Sequence, residues 1–530
     1  ARVIIAGRSR ERAGRCAQEL GAAGAAVLDR NAADAGALKA IGADLVIDAA
    51  GPFQGADLGF ARAVIESGAH YLDLADARDF VAAFPQLDAL ARRRNVAAVT
   101  GASSTPALTH AVLDTLCAGW RRLDIVRAGI APANKMQRGP SVMKAVLSWT
   151  GAPAAVWEEG EWRIRHGWTH CADIDVPGLG RRRFALAETP DLDLIPARYA
   201  PRDTALFMAG LEAPLMQRGM EVMSALRRWG LVRESQNWAG WLRGAGELLS
   251  AFGSDRGGMI VEAFGRDADD RPMCARWTMI APNGLGPNTP TFAALILARR
   301  FAAGGVLPIG ARACVSMLRL EDFAPEFARN GFTTRIDIAP LIAPFETALQ
   351  GGLDAAPAAV RAAHRSGPVT RWRGAAQVRG ASSLPARLIA RFFGFPAASP
   401  HTPVEVAMRL DRSGVETWTR RFGAYTFTSR LRAVGPGVVR ERFGPFAFDI
   451  ALHAAPDRLA MRVVGWRVGP VSMPARFAPR SVATETEQEG RFHFDVPIAL
   501  PLLGRIAHYS GWLEPEEVEG STSPAVLERA

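Results

Sequence analysis

The run DLVIDAAGPFQGADLGFARAVIESGAHYLDLADARDFV, residues 44–81, decides how the first part of this chain folds. Asp44 to Ala49 is nearly all apolar, the pattern of a strand buried on both faces. Gly51-Pro52-Phe53 turns it into a helical pattern that runs to about Ser67, and His70 to Leu74 is the next strand. Upstream, Val3 to Ala6 reads as a strand, Glu11 to Leu20 as an amphipathic helix closed by Gly21, Ala26 to Leu28 as a strand and Ala35 to Ile41 as a helix. Downstream, Phe80 to Arg94 is helical and Val96 to Thr100 extended. Ser104-Thr105-Pro106 then opens a helix with a hydroxyl cap and a proline in its first turn. Strands alternating with helices at this spacing predict βαβ units and an α/β fold, a Rossmann-like doubly wound parallel sheet. Right-handed crossovers leave few other topologies.

The pattern changes at Asp124. Longer amphipathic strands (Ile125 to Ala131, Arg183 to Ala187, Ala205 to Gly210, Met259 to Gly265, Arg276 to Ala281) mix with helices at Pro214 to Trp229 and Phe292 to Ala302. The polar turn Asp267 to Asp270 reads as a hairpin. An Ala-, Pro- and Gly-rich stretch follows, and then alternating runs at regular spacing: Val404 to Leu410, Glu416 to Phe422, Thr426 to Ala433, Val438 to Phe443, Phe446 to His453, Leu459 to Trp466 and Phe492 to Ile498. These predict an antiparallel barrel or strongly curved sheet. The expected organisation is a Rossmann-like domain at 1–123, an α+β substrate and dimerisation domain at 124–335, a linker at 336–368, a β-rich domain at 369–515 and a loose tail at 516–530.

Composition narrows the classes. With 530 residues the chain exceeds one module, and 48% hydrophobic with 22% charged residues excludes wholesale disorder. Its longest apolar runs, such as Phe292 to Ala298, are core-sized, so no transmembrane segment is expected. The opening residues read as a strand rather than a signal peptide. Five scattered cysteines (Cys16, Cys117, Cys171, Cys274, Cys314) form neither a CxxC nor a Cys/His pair, which predicts no metal site and a reducing, cytoplasmic setting. The net charge of +10 invites a nucleic-acid reading. Only Lys39, Lys135 and Lys144 are lysines, however, and the arginines are spread along the chain, as a GC-rich coding bias would leave them. No nucleic-acid partner is expected.

A doubly wound sheet binds ligands outside the carboxyl ends of its strands. Ala6-Gly7-Arg8-Ser9 lies at such an end. An acidic residue there would hold the 2′-hydroxyl of NAD, whereas an arginine accommodates the 2′-phosphate of NADP. The plainer reading is a solvated arginine at a helix start. Gly51, Pro52 and Phe53 follow the next strand, where Gly51 lets a cofactor approach the backbone. Gly101 follows Thr100. Tyr71, Asp76 and His110 are the candidates for proton transfer or substrate orientation. Their plainer roles are core packing, helix capping and a surface position.

The 44–81 run, with VTGASSTPALTHAVLDTL after it, resembles the NADP-binding domain of saccharopine-dehydrogenase-like reductases, and the resemblance extends more loosely to about residue 330. It implies NADP as cofactor, with Gly7, Arg8 and Ser9 at the adenosine phosphate, Gly51, Pro52 and Phe53 on the nicotinamide side and Gly101 near the ring. It also implies an inserted α+β domain with substrate contacts and often a dimer interface, so a homodimer is among the expected arrangements. FFGFPAASPHTPVEV, GVETWTRRFG, RERFGPFAFDI, GWRVGPVSMP and GRFHFDVPIALPLLGRIAHYSGWLEP resemble a bacterial module, domain of unknown function 4166. That resemblance carries no chemistry.

Such reductases open on a strand and a GxGxxG-type turn that cradles the pyrophosphate. This sequence opens on the second strand. Gly178-Leu179-Gly180 and Gly284-Leu285-Gly286 lie in Pro-rich loops, and Gly244-Ala245-Gly246 lies in a helical pattern. The expectation is that upstream residues carry the missing strand and turn, and that the chain as given binds dinucleotide poorly. The leading reading is an NADP-dependent oxidoreductase acting on an unknown small or lipid-like substrate. The alternative is a non-catalytic Rossmann-like binding or scaffold protein whose C-terminal β domain holds an apolar ligand; those aromatic strands otherwise simply form its core.

Overall fold

The computed structural model describes residues 2–135, 140–232, 253–365 and 367–516, together with 238, 240 and 244. Most of the expected tail, and Ala245 and Gly246 of the glycine pair noted above, lie outside the described residues.

The N-terminal strands are β1 (Ile4–Gly7), β2 (Gly24–Val27), β3 (Leu45–Asp48), β4 (His70–Asp73) and β5 (Ala97–Thr100). All their pairings are parallel: β1 with β2, and β3 with β4, which pairs with β5. This is the doubly wound, Rossmann-like arrangement, divided into a two-stranded and a four-stranded sheet with no ladder between β1 and β3 among the described residues. The division corrects the expectation that the 44–49 run is buried on both faces. Ile47 is 45% exposed, because β3 has a hydrogen-bonding neighbour on one side only. In β4 and β5, which have neighbours on both sides, Tyr71, Leu72, Ala97, Ala98 and Val99 are fully buried.

The fourth strand of that sheet, Gly310–Ala313, pairs in parallel with β5 and arrives from far along the chain. The 124–335 region is therefore not one continuous domain. Most of its strands build a nine-stranded mixed sheet whose centre is Arg122–Ala131, flanked by Thr204–Ala209 on one side and Gly257–Arg266 on the other. Residues 286–332 then return to the first domain, where the Ala294 N–H donates to Ala102 O at 3.1 Å and the Cys314 N–H to Thr100 O at 2.8 Å. A single core cluster joins Leu72 and Val99 to Val126, Val261 and Phe292.

The expected linker at 336–368 is also corrected. It holds the end of the Thr333–Pro340 strand, the Pro344–Leu349 and Ala358–His364 helices and a short 3-10 turn. Phe345, Leu353 and Val360 are buried in the same cluster as Trp372, Phe422 and Phe492 of the C-terminal region. Alanine and proline composition suggested an open connection, but these small residues serve as close-packing positions in short helices.

From Val369 to Pro515 the chain is antiparallel. Ten strands close on themselves, the ring completed by Phe446–Ala455 pairing with Arg458–Val468. Closure removes the sheet edges. Alternation then sends every second side chain inward: in Glu416–Phe422, Glu416, Trp418 and Phe422 are buried while Arg421 is exposed. No helix among the described residues is long and apolar enough to cross a membrane, and no cluster of three or more metal-ligating side chains is present among them.

Candidate cofactor and catalytic site

Gly7 to Ser9, Gly51 to Phe53, Asp76 and Gly101 lie at or just past the carboxyl ends of β1, β3, β4 and β5, whereas Tyr71 lies within β4 and His110 in the Thr109–Leu116 helix. At β1, Gly7 ends the strand and its carbonyl accepts from the Leu28 N–H at 3.0 Å. Ser9 caps the Arg10–Glu19 helix, its hydroxyl accepting from the Arg12 N–H at 3.3 Å. Serine does this because its short side chain reaches an amide left without an intrahelical partner. Arg8 is exposed and has no ion pair among the described residues; Arg10 and Arg12 beside it are exposed as well. Three cations at a helix N-terminus, whose dipole adds to them, form an anion-attracting corner.

At β3 the organising residue is one that sequence reading passed over. The Asp48 carboxylate, 3% exposed, accepts from Arg30 Nε at 2.6 Å, from the Tyr71 hydroxyl at 3.3 Å and from the Ala50 N–H at 3.0 Å. Arg30 follows β2, so this pair ties the two-stranded sheet to the four-stranded one. The Arg30 guanidinium also lies over the rings of Phe53 and Phe60, at 5.1 and 5.9 Å. Gly51 and Pro52 are exposed, while Phe53 is buried against Phe80 with ring centroids 5.2 Å apart. Phe53 thus anchors the loop, and only Gly51 and Pro52 reach the surface. Asp76 also reaches the surface, held by Gln54 Nε2 at 3.0 Å.

The Tyr71 hydroxyl points into the core toward Asp48, and its ring stacks on Phe84 at 5.8 Å. That placement corrects the expectation that it moves a proton to substrate: a fully buried phenol whose hydroxyl is committed to Asp48 has no access. Gly101 has φ +70, and a Cβ there would lie 2.6 Å from Pro106 Cδ, so glycine is required by the turn itself. Its N–H donates to Asp73 Oδ1 at 2.7 Å, an oxygen that also accepts from the Ala75 N–H and the Thr100 hydroxyl. Asp73 binds the β4 and β5 turns together. Burial pushes its carboxyl up to about 7 in spite of these three donors.

His110 is not the surface residue of the plainer reading. It is fully buried at the junction with the second region, where Arg198 lies 3.3 Å from Nδ1 and Asp191 Oδ1 lies 3.6 Å from Nε2. Burial, helped by the Arg198 charge, pushes His110 down to about 3, so the imidazole is neutral. Burial pushes Asp191 up to about 7 against the nearby Thr109 and Thr105 hydroxyls. Thr105 Oγ1, His110 Nε2, Thr189 Oγ1 and both Asp191 carboxylate oxygens are buried without a hydrogen-bond partner. Arg198 and Tyr199 complete the surround through Asp114, at 2.9 and 2.7 Å. The sequence signal for Asp191 was absent, since it opens an ordinary helix in a region of looser pattern.

Residues 1–114 match the family model described as saccharopine dehydrogenase NADP binding domain, and residues 357–513 match the one described as Domain of unknown function (DUF4166). No curated protein matches the chain. Among solved structures, similarity is found to apo saccharopine dehydrogenase (L-Glu forming) from Saccharomyces cerevisiae, at 13% identity and TM-score 0.47 over 64% of this chain and 94% of that one. It is also found to GenD2 from gentamicin A biosynthesis in complex with NAD, at 12% identity and TM-score 0.29 over 65% of this chain and 89% of that one. Rv2717c from M. tuberculosis is similar at 11% identity and TM-score 0.21 over 33% of this chain and 99% of that one. At these scores the strand order and the two family matches carry the assignment.

Proposed function

We propose that this chain, which carries a saccharopine dehydrogenase NADP binding domain fused to a domain of unknown function, is an NADP-dependent oxidoreductase. The family match supports a nicotinamide dinucleotide. The observation that favours NADP is the exposed, unpaired Arg8 beside Ser9 at the end of β1, where NAD-specific sites place a carboxylate. The residues fit the adenosine end of the cofactor. Among the described residues, no glycine-rich turn joining a strand to a helix stands ready to cradle a pyrophosphate.

The bound nicotinamide supplies the hydride; the protein must orient the ring and manage one proton. Gly51 and Pro52 border the nicotinamide side, and Gly101 shapes the turn behind it. Of the three proton-transfer candidates, Asp76 fits best, because it reaches the surface beside this loop with Gln54 fixing its orientation. Tyr71 holds Asp48 in place, and His110 belongs to the buried junction. The substrate is an unassigned small or lipid-like molecule, and a homodimer is one arrangement that the reading allows. A non-catalytic scaffold is not favoured by an NADP-binding family match.

Titration with NADPH and NADH, read by intrinsic fluorescence, tests the reading. NADPH should bind the more tightly, and Arg8→Ala should weaken NADPH by about 1–3 kcal/mol while leaving NADH unchanged. Equal affinity of the wild-type chain for both nucleotides would count against it.

A further inference from the structure

The closed C-terminal barrel is hollow. Its interior encloses a cavity of about 650 Å³, a volume suited to a single small-molecule ligand. Trp418, Phe422, Phe443, Phe494, Val406 and Ile450 contribute to a wall that is almost wholly apolar. The aromatic residues of these strands therefore do more than fill a core.

The two ends of the barrel differ. At one end the Pro344–Leu349 helix closes the base: the Gly437 N–H donates to Ala348 O at 2.8 Å, and Phe345 lines the cavity floor. At the other end of the same Tyr425–Gly435 strand, the Leu384–Phe393 helix and its Gly394 cap lie over Thr426. That helix buries Ala386 and Ala390 yet leaves Leu384, Leu388 and Phe392 about 70% exposed, four residues apart and so on one face. Leu388 and Phe392 also line the cavity, which places its mouth beneath this helix. Leu502, 98% exposed in the neighbouring hairpin turn, extends the apolar rim.

The charged groups that line the cavity are paired. Arg420, inward by strand alternation, donates to Ser429 Oγ at 2.8 Å and to Glu441 at 3.0 Å, and lies 4.5 Å over the Trp418 ring. Ser429 itself donates to Glu441 at 2.6 Å. Glu485 is 2.5 Å from His364 Nε2, under the stacked ring of Phe345. Among the described residues that line the cavity, no cation is left to neutralise an entering carboxylate, which would instead meet Glu441 and Glu485. The lining hydroxyl of Tyr509 is different: like that of Ser481, which also lines the cavity, it has no hydrogen-bond partner among the described residues. Burial pushes its pKa up to about 12, so it stays a donor at neutral pH.

We propose that the barrel is a binding site for an elongated, uncharged lipid carrying one polar head, such as a long-chain alcohol, aldehyde or ester, taken in beneath the Leu384–Phe393 helix and hydrogen-bonded at its head by Tyr509. The proposal is independent of the oxidoreductase reading, since it uses no residue of the first domain.

The full-length chain is titrated with N-phenyl-1-naphthylamine, a neutral probe whose emission rises in apolar surroundings, and the bound probe is displaced with 1-hexadecanol or with palmitate. A saturable, one-to-one enhancement is expected, with hexadecanol displacing at least tenfold more tightly than palmitate. No saturable binding, or palmitate equal to or better than the alcohol, would overturn the proposal. Ala483 lines the cavity, and Ala483→Trp should fill it and reduce probe affinity at least tenfold. Undiminished binding by that variant, with wild-type melting, would place the probe on the exposed rim and refute an internal site. Should Ala483→Trp not fold, Tyr509→Phe decides: it should weaken hexadecanol several-fold and leave hexadecane unchanged, and equal effects on both refute the head-group assignment.

Discussion

Single residues at the junction between the first domain and the mixed sheet set a pH dependence. Asp191, with its pKa raised from 3.8 to about 7, keeps its proton in the folded chain at pH values where the unfolded chain has lost it. Its contribution to stability is therefore fully present below about pH 4, declines as pH rises, and is gone above about pH 7. Asp191→Asn removes that penalty. Chemical denaturation should find the variant more stable than wild type by about 2–4 kcal/mol at pH 8, with the difference vanishing near pH 4. A constant difference across that range would mean that Asp191 is ionised throughout. Gly101 makes the opposite case. Alanine there meets both a positive φ and the Pro106 ring, and Gly101→Ala should cost about 2–4 kcal/mol, measured by the same denaturation curves.

Among the elements, the strands at Val369–Arg379 and Ser399–Leu410 decide how the barrel is held. Arg371 and Arg409 extend from them to Asp203, a carboxylate 1% exposed that opens the Thr204–Ala209 strand of the mixed sheet. Arg409 also reaches Glu159 at 3.4 Å. Ile125, Phe264, Leu341, Val369 and Leu410 form an apolar cluster across the same boundary. Removing this deeply buried carboxylate leaves Arg371 without its partner and Arg409 with Glu159 alone, so Asp203→Ala should destabilise the chain by about 2–4 kcal/mol. Calorimetry should show one cooperative transition splitting into two as the barrel loses its anchor. The Pro344–Leu349 and Ala358–His364 helices belong to the barrel in the same sense. Limited proteolysis should spare 344–364, contrary to what their composition suggests.

For the whole molecule, the base of the barrel comes from outside the alternating strands, which has a consequence for dissection. Residues 340–516 expressed alone should give a folded unit with a sharp thermal transition. Residues 369–516 lack Phe345, Leu353 and Val360 and open the cavity at its base. That shorter piece should aggregate or bind hydrophobic dye without saturation; a sharp transition equal to that of 340–516 would show that the helices are dispensable.

What the sequence determined by itself is the succession of elements, because it rests on local periodicity. The Phe292–Ala302 helix and the Glu416–Phe422 and Val438–Phe443 strands fall where their patterns place them. The two family resemblances likewise rest on short contiguous motifs. The aromatic interior of the barrel was also written there, in Trp418, Phe422 and Phe494 on alternating strands, though alternation alone does not say that ten strands close. Tertiary structure alone decided which ends meet. The return of Gly310–Ala313 to β5, the pairing of Arg30 with Asp48, the meeting of His110 with Asp191 and the helical base of the barrel all join residues far apart in the chain. Their free energy comes from burial and from charge partners brought together by the fold. A sequence window holds only one side of each such contact, and so cannot show that the other will be there.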